Sequence, residues 1–442
     1  MHKGSFDLAR PPRFYKQHLL LSDRVGYFTE LTKRYGDFIL SRGLMDFYVL
    51  NHPDLVKVVL TRTHQEFDKN SPVYGRFRNA FGKGLVTAEG VAWKRQRKLL
   101  NDTFQRRSVA NFFTSIEKAS MSLVEGLASH AKVGKAVPVA HLLADTSLRI
   151  IGEALFSFEF EPRLAKIRKW TESINHYSAR LPIPILSQPW SPTPSNIRLR
   201  LALNGFGTFL DALLKERAKA PPKDDLLYHL YSEMERESDS GIDPNIIADE
   251  VLGIVIGGHE TTANAMVWCL YEIARHPKIQ HQIVDELSIR AIDYQSITEL
   301  IYLKAVIQEA LRLHPPFWFE NRNVSQVIEL GGKEIPEGTM VAFSRYSLHR
   351  HSDFWTEPES FNPERFMPGN KENSHSTYAY IPFGGGPRVC IGRHMAMLEI
   401  MTLIAVVLAN YSISIVDNHS LRTKATLTIE PSCGLPLIFK QR

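Results

Sequence analysis

The 442-residue chain has only three cysteines, Cys269, Cys390 and Cys433. They are too few and too widely spaced for a disulfide framework or a paired zinc knuckle. Low-complexity tracts are missing too, which excludes a disordered chain, a collagen or a repeat array. There is little excess charge: 53 Lys+Arg stand against 47 Asp+Glu, a formal +6 spread along the sequence, so no nucleic-acid partner is expected. Near the N-terminus the apolar patch Leu19 to Leu21 is flanked by Lys16, His18, Asp23 and Arg24. That stretch is too short and too polar for a signal peptide or a spanning helix. A cytoplasmic chain with no transmembrane anchor is expected. What is present is ordinary for a folded protein, with 44% apolar and 10% aromatic residues. Length alone suggests about three domains.

Few segments read as linkers. Leu181 to Ser195 carries Pro182, Pro184, Pro189, Pro192 and Pro194, and Lys215 to Asp225 contains Pro221-Pro222; proline forbids a continuing helix or a central strand there. Both are taken as loops within one helical fold, flanked by helices at Ile167 to Ala179 and Ile197 to Arg217. The longest helical signal runs from Pro244 to Arg275, with Asp243 as N-cap and His276-Pro277 as stop. At 1.5 Å per residue it spans roughly 48 Å. Val251 to Gly257 is apolar on nearly every side, the mark of a buried helix, and His259-Glu260-Thr261-Thr262 then interrupts it. Buried polar groups cost a few kcal/mol unless paired, so that cluster asks for a function. Further helices are expected at Asn101 to Ser129, Ile279 to Leu287, Tyr302 to Leu313 and Arg393 to Ala409. Short strands are expected at Phe38 to Leu40, Phe47 to Leu50, Val327 to Leu330, Met340 to Ser344 and Ser412 to Val416.

The sharpest feature is Phe383-Gly384-Gly385-Gly386-Pro387-Arg388-Val389-Cys390-Ile391-Gly392, followed directly by a helix. Glycines and a proline make a tight turn whose N–H groups can converge on one atom, the sulfur of Cys390. A cysteine at a helix N-terminus feels the positive end of the dipole, which favours the thiolate. Thiolates bind iron well. The run matches Phe-x-x-Gly-x-Arg-x-Cys-x-Gly, a pattern met by chance in roughly one chain of this length in ten thousand. On it the sequence resembles the cytochrome P450 family of heme-thiolate monooxygenases.

The resemblance implies a mainly α fold with small β-sheets, one heme-centred domain over residues 1–442, and heme b held between the long central helix and the cysteine-loop helix. It implies Cys390 as axial ligand to the iron, Phe383 packed near the sulfur and Arg388 facing a heme propionate. Trp93-Lys94-Arg95-Gln96-Arg97 matches the family's Trp-x-x-x-Arg, making Trp93 and Arg97 further propionate partners, and Arg322 is another. Glu309-Ala310-Leu311-Arg312 places acid and base on one helical face, with Asn362-Pro363-Glu364-Arg365-Phe366 following; the implied Glu309, Arg312 and Arg365 network braces the cysteine loop. Gly257-Gly258-His259-Glu260-Thr261-Thr262 resembles the oxygen-activating sequence. There a glycine leaves room for O2, the cosubstrate, Thr261 bonds oxygen or water in a distorted helix turn, and Glu260 relays protons.

By the same analogy a small hydrophobic substrate, of fatty-acid, terpenoid or polyketide type, meets Ser71 to Val86, Ile167 to Ile197, Val255, Gly257, Phe317, Trp318 and Phe319. No flavin or iron-sulfur sequence accompanies the heme module, so electrons are expected from a ferredoxin or flavodoxin and its NAD(P)H reductase, docking on the basic stretch Lys94, Arg95, Lys98, Arg106 and Arg107. A monomer is expected. A heme-binding protein with an isomerase, sensor or carrier role is the other class in play, and the Glu260-Thr261 pair favours the oxygenase.

Overall fold

A computed structural model of the chain describes residues 5–442 apart from 162, 183–187, 218, 220–222, 224, 237–244, 371–376, 417–422 and 433. The expected N-cap Asp243, the helix start Pro244, Pro184, Pro221-Pro222 and Cys433 fall outside the described residues. Helix dominates, and the sheets are small.

The axis of the structure is the helix Asn245–Arg275. Val251, Val255, Ile256, Met266, Val267, Leu270 and Ile273 are buried along it, and it packs against Val139–Phe156, Ile301–Leu313 and Arg393–Asn410. An apolar surface on nearly every side needs partners on every side. It stops where expected: His276 leaves the helical region (φ −122°, ψ 78°), and Pro277 opens the next helix, Pro277–Ser288, at its first turn, where a missing N–H costs nothing. Arg393–Asn410 is long and apolar enough to cross a bilayer, yet 67% of it is buried inside the protein, as in a core helix.

One expected helix is divided. In place of a single element over Asn101 to Ser129, Gly90–Phe104 ends at Gln105, which is extended (φ −66°, ψ 151°), and two short turns lead to Phe113–Lys132. The cause is local. Gln105 Nε2 donates to Asp102 Oδ1 at 2.7 Å and Ser108 Oγ donates to the Asp102 carbonyl at 2.6 Å, so the Ser108 hydroxyl takes a carbonyl the helical ladder would use. The helix Pro194–Arg217 likewise starts inside the proline-rich loop.

The largest sheet orders Phe38–Ser41, Phe47–Leu50, Met340–Ser344, Phe319–Val324 and Phe67–Asp68. Phe47–Leu50 runs parallel to Met340–Ser344, and the other pairs are antiparallel, with Arg322 opposite Val341. Ile328–Leu330 pairs with Lys333–Ile335, and Tyr411–Ile415 with Pro436–Gln441.

The cysteine loop rests on the end of the helix Pro53–Thr61. Cys390 N–H donates to the Phe383 carbonyl at 2.9 Å and Val389 N–H to Gly386 at 3.1 Å. Gly386 has φ +63°, and a Cβ there would lie 2.1 Å from the Leu60 carbonyl oxygen. Only glycine satisfies both the backbone and the contact. Gly386→Ala is therefore expected to cost about 2 kcal/mol or more. Thermal unfolding of the purified protein checks this, and an unchanged midpoint refutes the seating.

Candidate active site

The site is held by a polar network centred on Glu309, which is 0% exposed. Arg312 Nε and Nη2 donate to the two Glu309 carboxylate oxygens at 2.7 and 2.8 Å. Its remaining protons reach the carbonyls of His349 (2.9 Å), Pro358 (2.7 Å) and Ser360 (3.1 Å). Glu309 Oε1 also accepts from Asn362 N–H at 2.9 Å and Arg365 Nε at 3.3 Å. Glu309, Arg312 and Arg365 thus meet as the sequence suggests. His349 completes the link: its Nδ1 lies 3.2 Å from the Arg312 carbonyl, and its Nε2 accepts the Ile381 N–H at 2.9 Å. Burial holds its pKa well below the ordinary imidazole value, so it stays neutral and can accept that bond. The network reaches the loop two residues before Phe383.

At the far end of that loop Cys390 is exposed, while Phe383 and Ile391 pack against the main core. Its thiol does not follow the helix-dipole expectation. Accessible as its side chain is, the dense protein around the sulfur partly desolvates it and pushes its pKa up, although the Gly392 N–H, Arg97 and Arg393 pull the other way. Desolvation of the thiolate outweighs the dipole here, so the anionic form calls for a metal. Arg97 Nη1 donates to the Val389 carbonyl at 2.8 Å and so clamps the loop to the Gly90–Phe104 helix.

The central helix presents a second accessible surface. Gly257 is exposed, with nothing within 4 Å of where its Cβ would be, and Thr261 lies one turn on. Thr261 Oγ1 donates to the Gly257 carbonyl at 2.5 Å. The expected distorted turn is not seen: the helix runs unbroken through it. Val255 does not line this surface. It is 0% exposed and two residues, about 200°, around the helix from Gly257, whereas Gly253 and Ile254 are partly exposed. His259 is fully buried and among the described residues has no hydrogen-bond partner on either ring nitrogen; burial lowers its pKa to about 3.

Glu260 is held by residues that the motif did not reveal. Thr428 Oγ1 donates to its Oε1 at 2.7 Å and Asn175 Nδ2 to its Oε2, while Asn264 Nδ2 bonds Thr428 at 3.0 Å. Burial raises the Glu260 pKa to about 7, against those hydrogen bonds. No local pattern marks Asn175 or Thr428, because each comes from a distant segment.

The basic residues converge as well. Arg388 donates to the Ala88 carbonyl at 2.8 Å, pairs with Glu89 at 2.8 Å and lies 4.3 Å from the centre of the Trp93 ring. Burial lowers its pKa to about 10, leaving it charged at neutral pH. Arg322 bonds Tyr74 Oη at 3.3 Å and pairs with Glu320, which Arg345 also holds. Two members were missed. Lys69 is 7% exposed and donates to the Val86 carbonyl at 2.6 Å. The His64 ring lies tilted against Trp93, their centres 4.5 Å apart, and burial lowers its pKa to about 4. Neither lies in a spacing motif. Four basic side chains, Lys69, Arg322, Arg345 and Arg388, face two carboxylates, Glu89 and Glu320, and burial together with Arg388 and Arg322 holds the Lys69 pKa well below the ordinary lysine value. The basic side chains outnumber the carboxylates, and among the described residues Arg322 Nε, Arg388 Nε and His64 Nε2 are buried without partners. A bound group with two carboxylates matches both facts.

Comparison with known proteins decides what that group is. A profile of the cytochrome P450 family matches residues 11–433. The chain belongs to the cytochrome P450 family. It is 30% identical to cytochrome P450 4c21 of Blattella germanica over 95% of this chain and 89% of that protein. It is 28% identical to pentalenene oxygenase of Streptomyces avermitilis (91% and 90%) and 27% identical to cyclooctat-9-en-7-ol 5-monooxygenase of Streptomyces melanosporofaciens (88% and 84%). Its cofactor is heme b and its cosubstrate O2, and the monooxygenase reading displaces the non-oxidative one. The residues fit the group: an exposed thiol, glycines at 257 and 392 with open space above them, and an excess of basic side chains over carboxylates for two propionates.

Phe317, Trp318 and Phe319 border one cavity with Tyr74 and Phe77. Trp318 is chiefly core: it is 2% exposed, donates to the Thr426 carbonyl at 3.2 Å and meets Phe28 edge-on at 5.9 Å.

Removing the Glu309 carboxylate leaves two buried arginines uncompensated, a loss of about 3 to 5 kcal/mol. Glu309→Ala is expected to be insoluble or heme-free. Heme absorbance per polypeptide checks it, and normal incorporation refutes the bracing role.

Proposed function

We propose that the chain is one heme-centred domain, in which Cys390 is the axial ligand and Trp93, Arg97, Arg322 and Arg388, joined by Lys69, hold the propionate side. What carries the reading is surface: Gly257, Thr261 and Cys390 stay accessible while Val255, Ile256, His259 and Thr262 beside them are buried. When bound, the heme supplies the iron at which O2 is activated, so that one oxygen atom enters an apolar substrate and the other leaves as water. The protein's own part is to move protons and exclude water. Glu260 holds a proton below about pH 7 and passes it toward Thr261, whose hydroxyl trades its bond to Gly257 for one to oxygen or water.

The substrate is apolar and bulky. The names of two bacterial relatives point to terpenoid skeletons, and fatty-acid and polyketide chains suit the same apolar surroundings. Electrons come from a ferredoxin or flavodoxin and its NAD(P)H reductase. Lys94, Lys98, Arg106 and Arg107 are exposed, and both Arg106 and Arg393 act on His394, four residues past the cysteine. A cationic surface beside the proximal loop suits an acidic carrier.

Thr261→Ala is expected to keep its heme but divert electrons to hydrogen peroxide, lowering product per NAD(P)H by about tenfold or more. Unchanged coupling refutes the role. Proton donation by Glu260 falls as pH rises through about 7, so coupled turnover should fall there too, and Glu260→Gln should flatten the profile. The carrier reading is checked with Lys98→Glu/Arg106→Glu: kcat/KM for an acidic ferredoxin should drop about tenfold and lose salt dependence. An unaltered rate places the carrier elsewhere.

A further inference from the structure

The helix Leu164–Ala179 meets Glu260 from outside the central helix. Three buried polar side chains lie along its last turns: Thr171, Asn175 and Ser178. Thr171 and Ser178 spend their hydroxyls on the carbonyls of Arg168 (2.9 Å) and Ile174 (2.8 Å) in their own helix. Asn175 reaches across instead, and its Nδ2 donates to Glu260 Oε2. On the other side of the carboxylate stands Thr428, the residue before the strand Ile429–Pro431. Its hydroxyl proton is committed to Glu260 Oε1 at 2.7 Å, and it accepts from Asn264 Nδ2 at 3.0 Å.

One polar atom of this group is left over. Asn175 is 3% exposed, and among the described residues its Oδ1 has no hydrogen-bond partner. A buried carbonyl without a donor is costly. The amide cannot cure this by turning while Glu260 is ionised, since Oδ1 would then face a carboxylate oxygen, acceptor against acceptor. Once Glu260 carries a proton the preference reverses. The acid is a donor, and half a turn of the amide about its Cβ–Cγ bond brings Oδ1 to the place of Nδ2. The surroundings favour that proton: burial is the largest cause of the raised Glu260 pKa, and Glu430, two residues past Thr428, and Glu172, one turn before Asn175, add to it. Each of those carboxylates has a cation near it, Lys424 2.9 Å from Glu430 and Arg168 3.8 Å from Glu172.

We propose that Asn175 is the positioning residue of the proton-carrying acid, an amide that turns over with it: Nδ2 donates to the Glu260 carboxylate, and Oδ1 accepts from the Glu260 carboxylic acid. The proposal rests on the reading of Glu260 as the proton donor and deepens it. The proton gained comes from water and leaves toward Thr261. No other covalent bond forms or breaks, and the amide turns back when the carboxylate returns. A cation in this place would hold Glu260 ionised, and a second carboxylate would hold it protonated. Asparagine bonds both forms, so the acid gains and loses its proton within fixed surroundings.

The test follows isotopically labelled asparagine by infrared difference spectroscopy as the resting, heme-loaded protein is titrated through about pH 7. As Glu260 takes up its proton one asparagine carbonyl should shift to lower frequency, passing from unbonded to bonded. That shift should vanish in Glu260→Gln and in Asn175→Leu. The carboxyl band in the same spectra gives the proton affinity of Glu260 itself, and Asn175→Asp should raise it about tenfold or more. An asparagine carbonyl that ignores the titration, a response that survives in Glu260→Gln or Asn175→Leu, or an affinity unmoved in Asn175→Asp overturns the proposal. The labelled parent protein decides it even where a variant fails to fold. The underlying reading fails separately, if the amide turns as expected while Glu260→Gln leaves the pH profile of coupled turnover unchanged.

Discussion

Everything that positions the iron side of this protein depends on one buried ion pair, Glu309 with Arg312. Two charges at 0% exposure are tolerable only because their remaining hydrogen-bonding capacity is met. Arg312 has three backbone carbonyls besides the carboxylate, and Glu309 has an N–H and a second arginine. Those partners are the backbone of residues 349, 358, 360 and 362, so irregular chain without a sheet of its own is fixed by the pair. His349 hands the constraint on to Ile381. The turn carrying Cys390 then has little freedom: it is tied at Ile381, pressed on Leu60 at Gly386 and clamped by Arg97 at Val389.

The opposite wall obeys a different constraint. An unbroken helix can leave a surface accessible only where side chains are small, which is the place of Gly257 and, with Val86 3.6 Å from its would-be Cβ, of Gly253. Acid and alcohol follow at 260 and 261, but on an α-helix neighbours point about 100° apart. Glu260 accordingly turns toward Asn175 and Thr428 while Thr261 bonds back to Gly257. The acid's orientation is set by segments 85 and 168 residues away.

The contrast between what was legible and what was not follows from range. Spacing around Cys390, Glu309 and the central helix reflects local geometry, and each of those elements formed where the sequence placed it. The division at Gln105 was hidden because Gln105 and Ser108 read as ordinary helix-surface residues until one bonds the Asp102 side chain and the other its carbonyl. Val255 shared the central helix's apolar character but sits on its buried side, a matter of phase that a helix buried all round does not disclose. Lys69, His64, Asn175 and Thr428 act only through tertiary contacts. The Cys390 thiol is an error of magnitude: the dipole and Arg97 are present, and burial outweighs them.

A formal charge of +6 first excluded a nucleic-acid partner by its dispersal, and the structure gives that dispersal a meaning. Arginine serves this chain in distinct ways, set by what lies opposite. Arg312 and Arg365 face a carboxylate of the protein and are structural. Arg322 and Arg388 share too few carboxylates with Lys69 and Arg345, which leaves charge for a dianionic cofactor. Arg24 donates to the neutral carbonyls of Leu20 and Ala179 and ties two helices together. Net charge counts these alike, but only the second group is unfinished without a ligand, and it is the unmatched charge, more than its total, that says what the protein binds.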